Sequence, residues 1–115
     1  MIHRIYYAKP SITEKEIKYV EDALRASSTE KRYEYIDKFE LKFREYLGSK
    51  FSMATSSCTG AIHLALATIG LKQDDEVILA DINWIASAEP ITYFSAKPVF
   101  VDIDPVTYTI NPDLI

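Results

Sequence analysis

The residues best suited to chemistry stand together at one short turn. Ser57, Cys58, Thr59 and Gly60 are small, and they lead into residues 61–69, where apolar side chains recur at helical spacing. The first amides of a helix have no partner inside it and point, with the positive end of the helix dipole, at whatever occupies the turn. The turn therefore predicts a phosphate seat. The alternative is ordinary capping of the helix by a serine or threonine hydroxyl.

The glycine pattern separates this turn from the common nucleotide-binding loops. The chain contains neither G-x-G-x-x-G nor G-x-x-x-x-G-K-[ST], and Gly60 is the only glycine of the turn. A dinucleotide site and a nucleoside-triphosphate site are therefore not expected here.

Two helices are predicted upstream of the turn. Thr13 and Glu16 have the spacing of a capping box, which predicts an amphipathic helix that ends near Ala26. A second helix is predicted over residues 33–47, and Gly48 follows it as the terminating glycine.

Strands and helices alternate from the turn onward. Residues 51–55 are predicted to form a buried strand before the turn, and residues 76–80 (EVILA) form a second strand that is apolar on both faces. A loop over residues 81–84, a helix over 86–94 and a strand over 98–103 follow. This alternation predicts an α/β fold with a parallel, doubly wound sheet.

Composition excludes several classes of protein. The 115 residues are 48% hydrophobic and 26% charged, which indicates a globular chain. A net charge of -4 argues against a nucleic-acid partner. One cysteine and two histidines predict neither a disulfide framework nor a metal site. No signal peptide or membrane-length apolar run is present, so a cytoplasmic protein without a membrane partner is expected.

The last residues predict the start of a further helix. Asn111 is a good N-cap, Pro112 suits the first helical position, and Asp113 suits the first turn. Only Leu114 and Ile115 follow, so we expect the chain to be the N-terminal part of a longer polypeptide.

Three segments carry a family resemblance: SSCTGAIHLAL, DDEVILADINWIASA and AKPVFVDIDPVTYTI. In order and spacing the chain, from Ile5 onward, resembles the N-terminal part of the DegT/DnrJ/EryC1/StrS family of sugar aminotransferases, which depend on pyridoxal 5'-phosphate (PLP). The resemblance implies the large domain of an aspartate-aminotransferase-type (fold type I) enzyme, with a mainly parallel sheet and flanking helices. Residues 1–30 would form an N-terminal arm and the first helix, and residues 31–115 would begin the PLP-binding domain.

The resemblance also implies a function. Relatives of this kind are homodimers that transfer an amino group, usually from glutamate, to a nucleotide-linked keto sugar. Their products enter surface glycans or glycosylated natural products.

The resemblance assigns roles to single residues. The family's Ser-Gly-Thr-Ala turn falls on residues 57–60, so the amides of Thr59 and Gly60 and the Thr59 hydroxyl would hold the PLP phosphate, with Ser57 and Cys58 completing the turn. Cys58 replaces a glycine and Gly60 an alanine, and Cys58 is expected to be a small packing residue rather than a nucleophile. Trp84 would stack on the pyridine ring. The alternative for Trp84 is a core position between strand and helix.

The catalytic lysine of the family, which forms a Schiff base with PLP, is expected beyond Ile115. Lys50, Lys72 and Lys97 lie in polar or connecting positions, so no catalytic residue is assigned and the chain alone is predicted to be inactive. Two alternatives stay open. One is a noncatalytic α/β module that binds a phosphorylated ligand or a partner. The other is a PLP-dependent sugar dehydratase, in which histidine replaces the lysine.

The remaining polar candidates have ordinary explanations. His63 is expected to be a partly buried helix residue. Asp102 and Asp104 are expected to form turns at a strand end rather than a carboxylate pair. The loop over residues 28–33 lacks the Gly-Pro that relatives have there.

Overall fold

The computed structural model describes residues 8–115. The chain divides into two compact units, Met1–Ala54 and Thr55–Ile115, and each is described by itself. The predicted N-terminal arm lies largely outside the described residues. Residues 8–13 contain neither helix nor strand.

The first helix begins and ends as predicted. Helix α1 covers Glu14–Ala26 and has Thr13 as its N-cap. The Thr13 N–H donates to the Glu16 carboxylate over 2.7 Å, and the Lys15 N–H donates to the Thr13 hydroxyl over 3.3 Å. Hydrogen bonds from the Thr13 side chain and backbone lower the pKa of Glu16. The predicted capping box is confirmed.

The second helix also agrees with its prediction. Helix α2 covers Glu34–Leu47 and ends at Gly48, whose φ of 64° is left-handed. A glutamate on this helix, Glu40, accepts the N–H of Ala54 over 2.7 Å. The Glu40 side chain therefore connects α2 to the segment that follows it.

The predicted strand over residues 51–55 is wrong. These residues form no strand, and the side chains of Phe51 and Met53 are 77% and 71% exposed. A strand needs a neighbour for its main-chain donors and acceptors, and no described strand pairs with this segment. The Ala54 N–H bonds instead to the Glu40 carboxylate.

Helix α3 opens the second unit's ordered structure. It covers Cys58–Ile69, has Ser57 as its N-cap, and ends at Gly70 with a left-handed φ of 79°. The prediction started this helix at Thr59, one residue later.

A parallel pair of strands follows α3. Strand β1 covers Glu76–Ala80, strand β2 covers Lys97–Val101, and Glu76 is aligned with Lys97. The prediction that β1 is buried on both faces is wrong for this chain, since Ile78 is 46% exposed. Within the described residues β1 and β2 are the whole sheet, so too few elements surround it to cover both faces.

The crossover from β1 to β2 contains two short helical pieces instead of the predicted helix over residues 86–94. A 3-10 turn covers Ile85–Ser87, and helix α4 covers Glu89–Thr92. Pro90 stands in the first turn of α4, where its missing N–H costs no hydrogen bond, and this placement starts a new helix there. Both pieces contact α3.

The core of this unit lies between the crossover and β2. Its buried apolar side chains are Ala88, Ile91, Ala96, Val101 and Ile103.

The chain after β2 folds back on itself. The predicted strand over residues 98–103 ends at Val101, and Ile103 then forms an isolated antiparallel bridge with Ile110. The predicted helix start is confirmed as a 3-10 turn over Pro112–Leu114, where Asn111 Oδ1 accepts the Asp113 N–H over 3.0 Å.

Candidate cofactor-binding site

The first turn of α3 contains the residues predicted to seat a phosphate, and Ser57 caps this turn. Ser57 Oγ accepts the N–H of Gly60 over 3.1 Å, and the Ser57 carbonyl accepts the N–H of Ala61 over 3.0 Å. The Thr59 amide has no acceptor among residues 8–115. One of the two predicted amides therefore points out unpaired, while the other is occupied by the serine hydroxyl.

The surroundings of these amides suit an anion. The first turn of α3 contains no acidic residue, so nothing there opposes the positive end of the helix dipole. Thr59 and Gly60 are half-buried. A Cβ at Gly60 would lie 3.3 Å from Ser57 Oγ, so the glycine leaves room for the hydroxyl at the head of the helix. These residues fit a phosphate group.

Cys58 differs from its prediction. Its thiol is free and exposed, so it is not a packing residue. It occupies the first position of α3.

Trp84 is not a core residue, so that alternative is wrong. Its side chain is 76% exposed, but its backbone is held on both sides. The Trp84 N–H donates to Asn83 Oδ1 over 2.7 Å, and the Trp84 carbonyl accepts the N–H of Ser87 over 2.9 Å. The Ser87 hydroxyl also donates to Asn83 Oδ1, over 3.2 Å.

A small cavity lies beside Trp84. It has a volume of about 140 Å³ and is formed by the end of β1, the loop after it, the start of the crossover, and Phe100 of β2. Residues 57–60 do not line it, so the structure does not join the phosphate seat and the tryptophan in a single cavity. Both parts belong to the same compact unit, because α3 contacts the 3-10 turn that starts directly after Trp84.

The position of Trp84 is typical of a ligand site. It stands four residues after Ala80, the last residue of β1, and ligands of open α/β sheets bind outside the carboxyl ends of their strands.

Asn83 and Ser87 were missed by the sequence analysis. Asn83 does not cap the 3-10 turn, whose N-cap is Trp84, so the usual capping pattern does not mark it in the sequence. The predicted helix over residues 86–94 obscured it.

His63 makes contacts of a packing kind. Its ring lies edge-on to Tyr93 and Phe94, with ring centroids 5.2 Å away in each case. The residue as a whole is exposed rather than partly buried as predicted.

The two aspartates after β2 form turns, as predicted. Asp104 Oδ1 accepts the N–H groups of Val106 and Thr107 over 2.9 and 2.7 Å, and the Thr107 hydroxyl over 3.1 Å. These hydrogen bonds, with the Thr107 backbone first, lower the pKa of Asp104. Asp102 Oδ1 accepts the neighbouring Ile103 N–H over 2.7 Å.

The lysines named in the sequence analysis are exposed. Lys50 and Lys72 stand on the surface, and Lys97 faces Asp74 with 3.6 Å between Nζ and Oδ1. None of these ammonium groups is desolvated in the way a nucleophilic lysine requires.

A second groove lies at the start of α2, in the first unit. It has a volume of about 490 Å³ and is lined by side chains between Glu30 and Leu41, three of them acids and two of them lysines. The loop over residues 28–33 contributes to it. Its mixed charge gives no particular preference for an anion.

Residues 8–115 contain neither a metal-binding cluster nor a membrane-spanning helix. No group of three or more histidine, cysteine, aspartate or glutamate side chains is placed to hold a metal ion. No helix in this part of the chain is both long and apolar enough to cross a membrane.

The fold and the site together define the class. The second unit has a parallel strand pair with flanking helices, and Thr59 at the head of α3 and Trp84 after β1 both lie in it. The chain belongs to the DegT/DnrJ/EryC1/StrS aminotransferase family, whose model matches residues 10–115. The predicted family, fold class and PLP dependence are thereby confirmed at the level of the family.

Individual relatives agree with this. The chain is 39% identical over 103 residues to the GDP-perosamine synthase of Escherichia coli O157:H7, covering 90% of this chain and 28% of that one. A Streptococcus pneumoniae protein provisionally assigned as a sugar aminotransferase, in its PLP form, superposes with a TM-score of 0.84 at 31% identity, covering 97% of this chain and 28% of that one.

A dehydratase is also similar. The GDP-4-keto-6-deoxy-D-mannose-3-dehydratase of E. coli with bound hydrated PLP gives a TM-score of 0.79 at 28% identity, covering 95% of this chain and 30% of that one. The chain thus spans somewhat under one third of the length of each of these relatives.

Proposed function

We propose that this chain forms the cofactor-phosphate part of a PLP-dependent aminotransferase that acts on a nucleotide-linked keto sugar, with glutamate as the amino donor. The observation that carries the proposal is the unpaired Thr59 amide at the head of α3, in the same compact unit as the exposed indole of Trp84. Bound PLP would supply the electron sink through which an amino group leaves one substrate and joins the other.

The residues of this chain would bind and orient the cofactor. The Thr59 N–H and hydroxyl donate to phosphate oxygens, and the helix dipole adds a favourable field. Ser57 Oγ holds the Gly60 N–H until a phosphate oxygen, which is the stronger acceptor, competes for it.

Trp84 would cover the face of the cofactor ring. A flat indole against the ring excludes water and fixes the plane of the ring. The exposure of Trp84 supports this role, because 76% of its side chain is unoccupied by the rest of the chain.

The wider proposal follows the relatives. A GDP-linked sugar is the substrate class that we favour, because GDP-perosamine synthase is among the similar proteins. Synthesis of surface glycans or glycosylated natural products, a homodimer, a cytoplasmic location and the division into residues 1–30 and 31–115 belong to the same proposal. The residue that does the proton transfers would come from outside this chain.

The phosphate seat can be tested by comparing two ligands. PLP and pyridoxal differ only in the phosphate, and Trp84 is the only tryptophan of the chain, so its fluorescence reports binding directly. We expect PLP to quench Trp84 and to bind at least about tenfold more tightly than pyridoxal, since charge-assisted hydrogen bonds contribute about 1.5–3 kcal/mol each. Equal affinity for the two ligands would refute the seat.

A matched pair of variants locates the seat. Thr59→Ala removes the hydroxyl and is expected to weaken PLP binding, while Thr68→Ala, in the last turn of the same helix, is expected to leave it unchanged. Thr68 is a suitable control because its hydroxyl bonds only to the Leu64 carbonyl within α3.

The reaction distinguishes the aminotransferase from the dehydratase that is also similar. The full-length protein would be incubated with PLP, glutamate and GDP-4-keto-6-deoxymannose, and the sugar nucleotide analysed by mass spectrometry. An amino sugar with one 2-oxoglutarate per turnover supports the proposal. A 3-deoxy sugar without nitrogen supports the dehydratase, and no reaction with any keto sugar nucleotide supports a noncatalytic binding module.

A further inference from the structure

Asn83 lies in the loop after β1, and its side chain bonds to the residues on its C-terminal side. Its Oδ1 accepts two hydrogen bonds, one from the Trp84 N–H over 2.7 Å and one from the Ser87 hydroxyl over 3.2 Å. The Ser87 N–H in turn donates to the Trp84 carbonyl over 2.9 Å. The three residues close a small ring of hydrogen bonds around the tryptophan backbone, and we call it the Asn83 clamp.

The clamp matters because the indole has little else to hold it. With 76% of its side chain exposed, Trp84 makes too few packing contacts to fix the direction in which its ring leaves the backbone. Its backbone is extended, with φ -71° and ψ 138°, directly before the 3-10 turn over Ile85–Ser87. The two hydrogen bonds to its N–H and its carbonyl are therefore the main restraints on the Cα–Cβ bond from which the ring projects.

The clamp also borders the cavity beside Trp84. Asn83 and Trp84 both line the cavity of about 140 Å³ at the end of β1. Ser87 connects the clamp to the crossover, whose neighbouring residue Ala88 is buried in the core. The exposed Trp84 ring is thus attached to a backbone segment that is hydrogen-bonded to the crossover.

We propose that Asn83 is a positioning residue, which holds the Trp84 backbone so that the Cα–Cβ bond from which the indole projects has a fixed direction before a ligand arrives. The assignment rests on the proposed function for its purpose, namely stacking on the cofactor ring. Its geometry is a property of the free chain. A ring held in place beforehand loses less freedom on binding, so the clamp would strengthen binding without touching the cofactor.

The test uses the full-length protein without PLP, with any tryptophan outside residues 1–115 replaced by phenylalanine, and it measures the steady-state anisotropy and acrylamide quenching of Trp84. Asn83→Ala removes the acceptor, and we expect lower anisotropy and a larger quenching constant. Asn83→Asp keeps an oxygen acceptor in the same place and is expected to restore the behaviour of the original chain. Ser87→Ala, which removes one donor and leaves the Trp84 N–H bond, is expected to give a smaller effect in the same direction.

A matched control comes from the same unit. Asn111 Oδ1 also accepts a backbone N–H, from Asp113 over 3.0 Å, but it lies after β2, near the C-terminal end of the unit. Asn111→Ala should leave the anisotropy of Trp84 unchanged. Circular dichroism of each variant separates a local change at Trp84 from a loss of fold, and Ser87→Ala provides the milder variant if Asn83→Ala does not fold.

Two results would overturn the assignment. One is an unchanged anisotropy in folded Asn83→Ala, and the other is a change in Asn83→Asp as large as that in Asn83→Ala. These measurements contain no PLP, so they are separate from the proposed function. In the presence of PLP, Asn83→Ala is expected to bind about fivefold more weakly, the effect of losing a hydrogen bond of about 1 kcal/mol. A failure of the original chain to bind PLP would count against the proposed function alone.

Discussion

At the scale of single residues, the site combines a fixed backbone with an exposed side chain. The Trp84 main chain is bonded to Asn83 and Ser87, while its ring faces outward. At the head of α3, Ser57 orders the turn and Thr59 keeps a free donor. In both places hydrogen bonds hold the backbone, while the group that could contact a ligand, the Trp84 ring or the Thr59 amide, is left without a partner in the described part of the chain.

Replacement of Trp84 tests how much the flat ring contributes to binding. Trp84→Ala is expected to weaken PLP binding by about three- to tenfold, because a stacked aromatic pair is worth about 0.5–1.5 kcal/mol beyond its buried area. Trp84→Phe should recover most of the loss, since a smaller flat ring can still cover the cofactor. Equilibrium dialysis with PLP absorbance measures both variants, and equal binding by all three chains would remove Trp84 from the site.

Asp104 should make stability depend on pH in the acid range. Its folded-state pKa is lowered by the Thr107 and Val106 hydrogen bonds, so its contribution is present above the unfolded pKa of about 3.9 and is lost as pH falls through the folded value. Asp104→Asn keeps an acceptor oxygen but cannot ionise. We expect the variant to melt at a lower temperature than the original chain near pH 6, and the difference to vanish toward pH 2.

Thermal melts of both chains from pH 2 to 7 measure this. A constant difference across that range would show that the carboxylate charge has no part in the turn. Asp104→Ala, which removes the acceptor altogether, should remain destabilised even at the lowest pH.

The residue scale also shows what sequence could and could not predict. Ser57 and Asn111 were readable because a cap is a local feature, formed by a side chain and an amide two or three residues on. Asn83 was not, because its role appears only once the crossover is seen to break into two pieces. The exposure of Trp84 depends on how the other elements pack around it, and a local sequence pattern does not encode that packing.

At the scale of elements, local signals again decided which predictions held. The capping box of α1 and the glycine after α2 predicted their helices correctly. The segment over residues 51–55 has the composition of a strand but lacks a strand beside it, and pairing is a property of two segments rather than one. Pro90 could be recognised as a breaker, although the 3-10 turn before it could not.

The glycine that ends α3 offers a clean measurement at this scale. Gly70 has a φ of 79° with open space around it, so the new Cβ of Gly70→Ala meets no clash. The destabilisation then comes only from placing alanine in a left-handed backbone conformation. We expect the free energy of unfolding to fall by about 1–2 kcal/mol. Gly60→Ala is the comparison, because Gly60 lies inside the helix and does not have a positive φ.

For Gly60→Ala we expect little net change. The gain in helix propensity, about 1 kcal/mol, is offset by the approach of the new Cβ to Ser57 Oγ at 3.3 Å. Urea unfolding measures both variants. If Gly70→Ala were no more costly than Gly60→Ala, the left-handed end of α3 would not be a constraint on this chain.

At the scale of the whole chain, apolar surface is unusually exposed. Phe51, Ile69, Val106 and Tyr108 are each at least 75% exposed, and α1, α2 and α3 contain no buried residue. Soluble monomers rarely leave large contiguous apolar patches uncovered. The relatives, of which this chain spans less than a third, have further chain with which to cover such surface.

We therefore expect the isolated chain to bind the dye 8-anilinonaphthalene-1-sulfonate and to self-associate as its concentration rises. Light scattering coupled to size-exclusion chromatography measures the association, and Ile69→Lys on α3, where the side chain is 75% exposed, should reduce both signals. A monodisperse monomer that leaves the dye dark would mean that the exposed side chains are too dispersed to form a patch.

The alignment of Glu76 with Lys97 has one more consequence, which concerns the order of events during synthesis. Parallel partners 21 positions apart cannot meet until the intervening chain has left the ribosome, whereas α1 and α2 need only their own residues to form. The loop that contains Asn83, Trp84 and Ser87 lies wholly inside that interval. The hydrogen bonds among Asn83, Trp84 and Ser87 need only residues 83–87, so they can form before β2 is complete. The wall that Phe100 of β2 adds to the cavity beside Trp84 comes later, so a nascent chain stopped short of Phe100 would have the loop without its closed cavity.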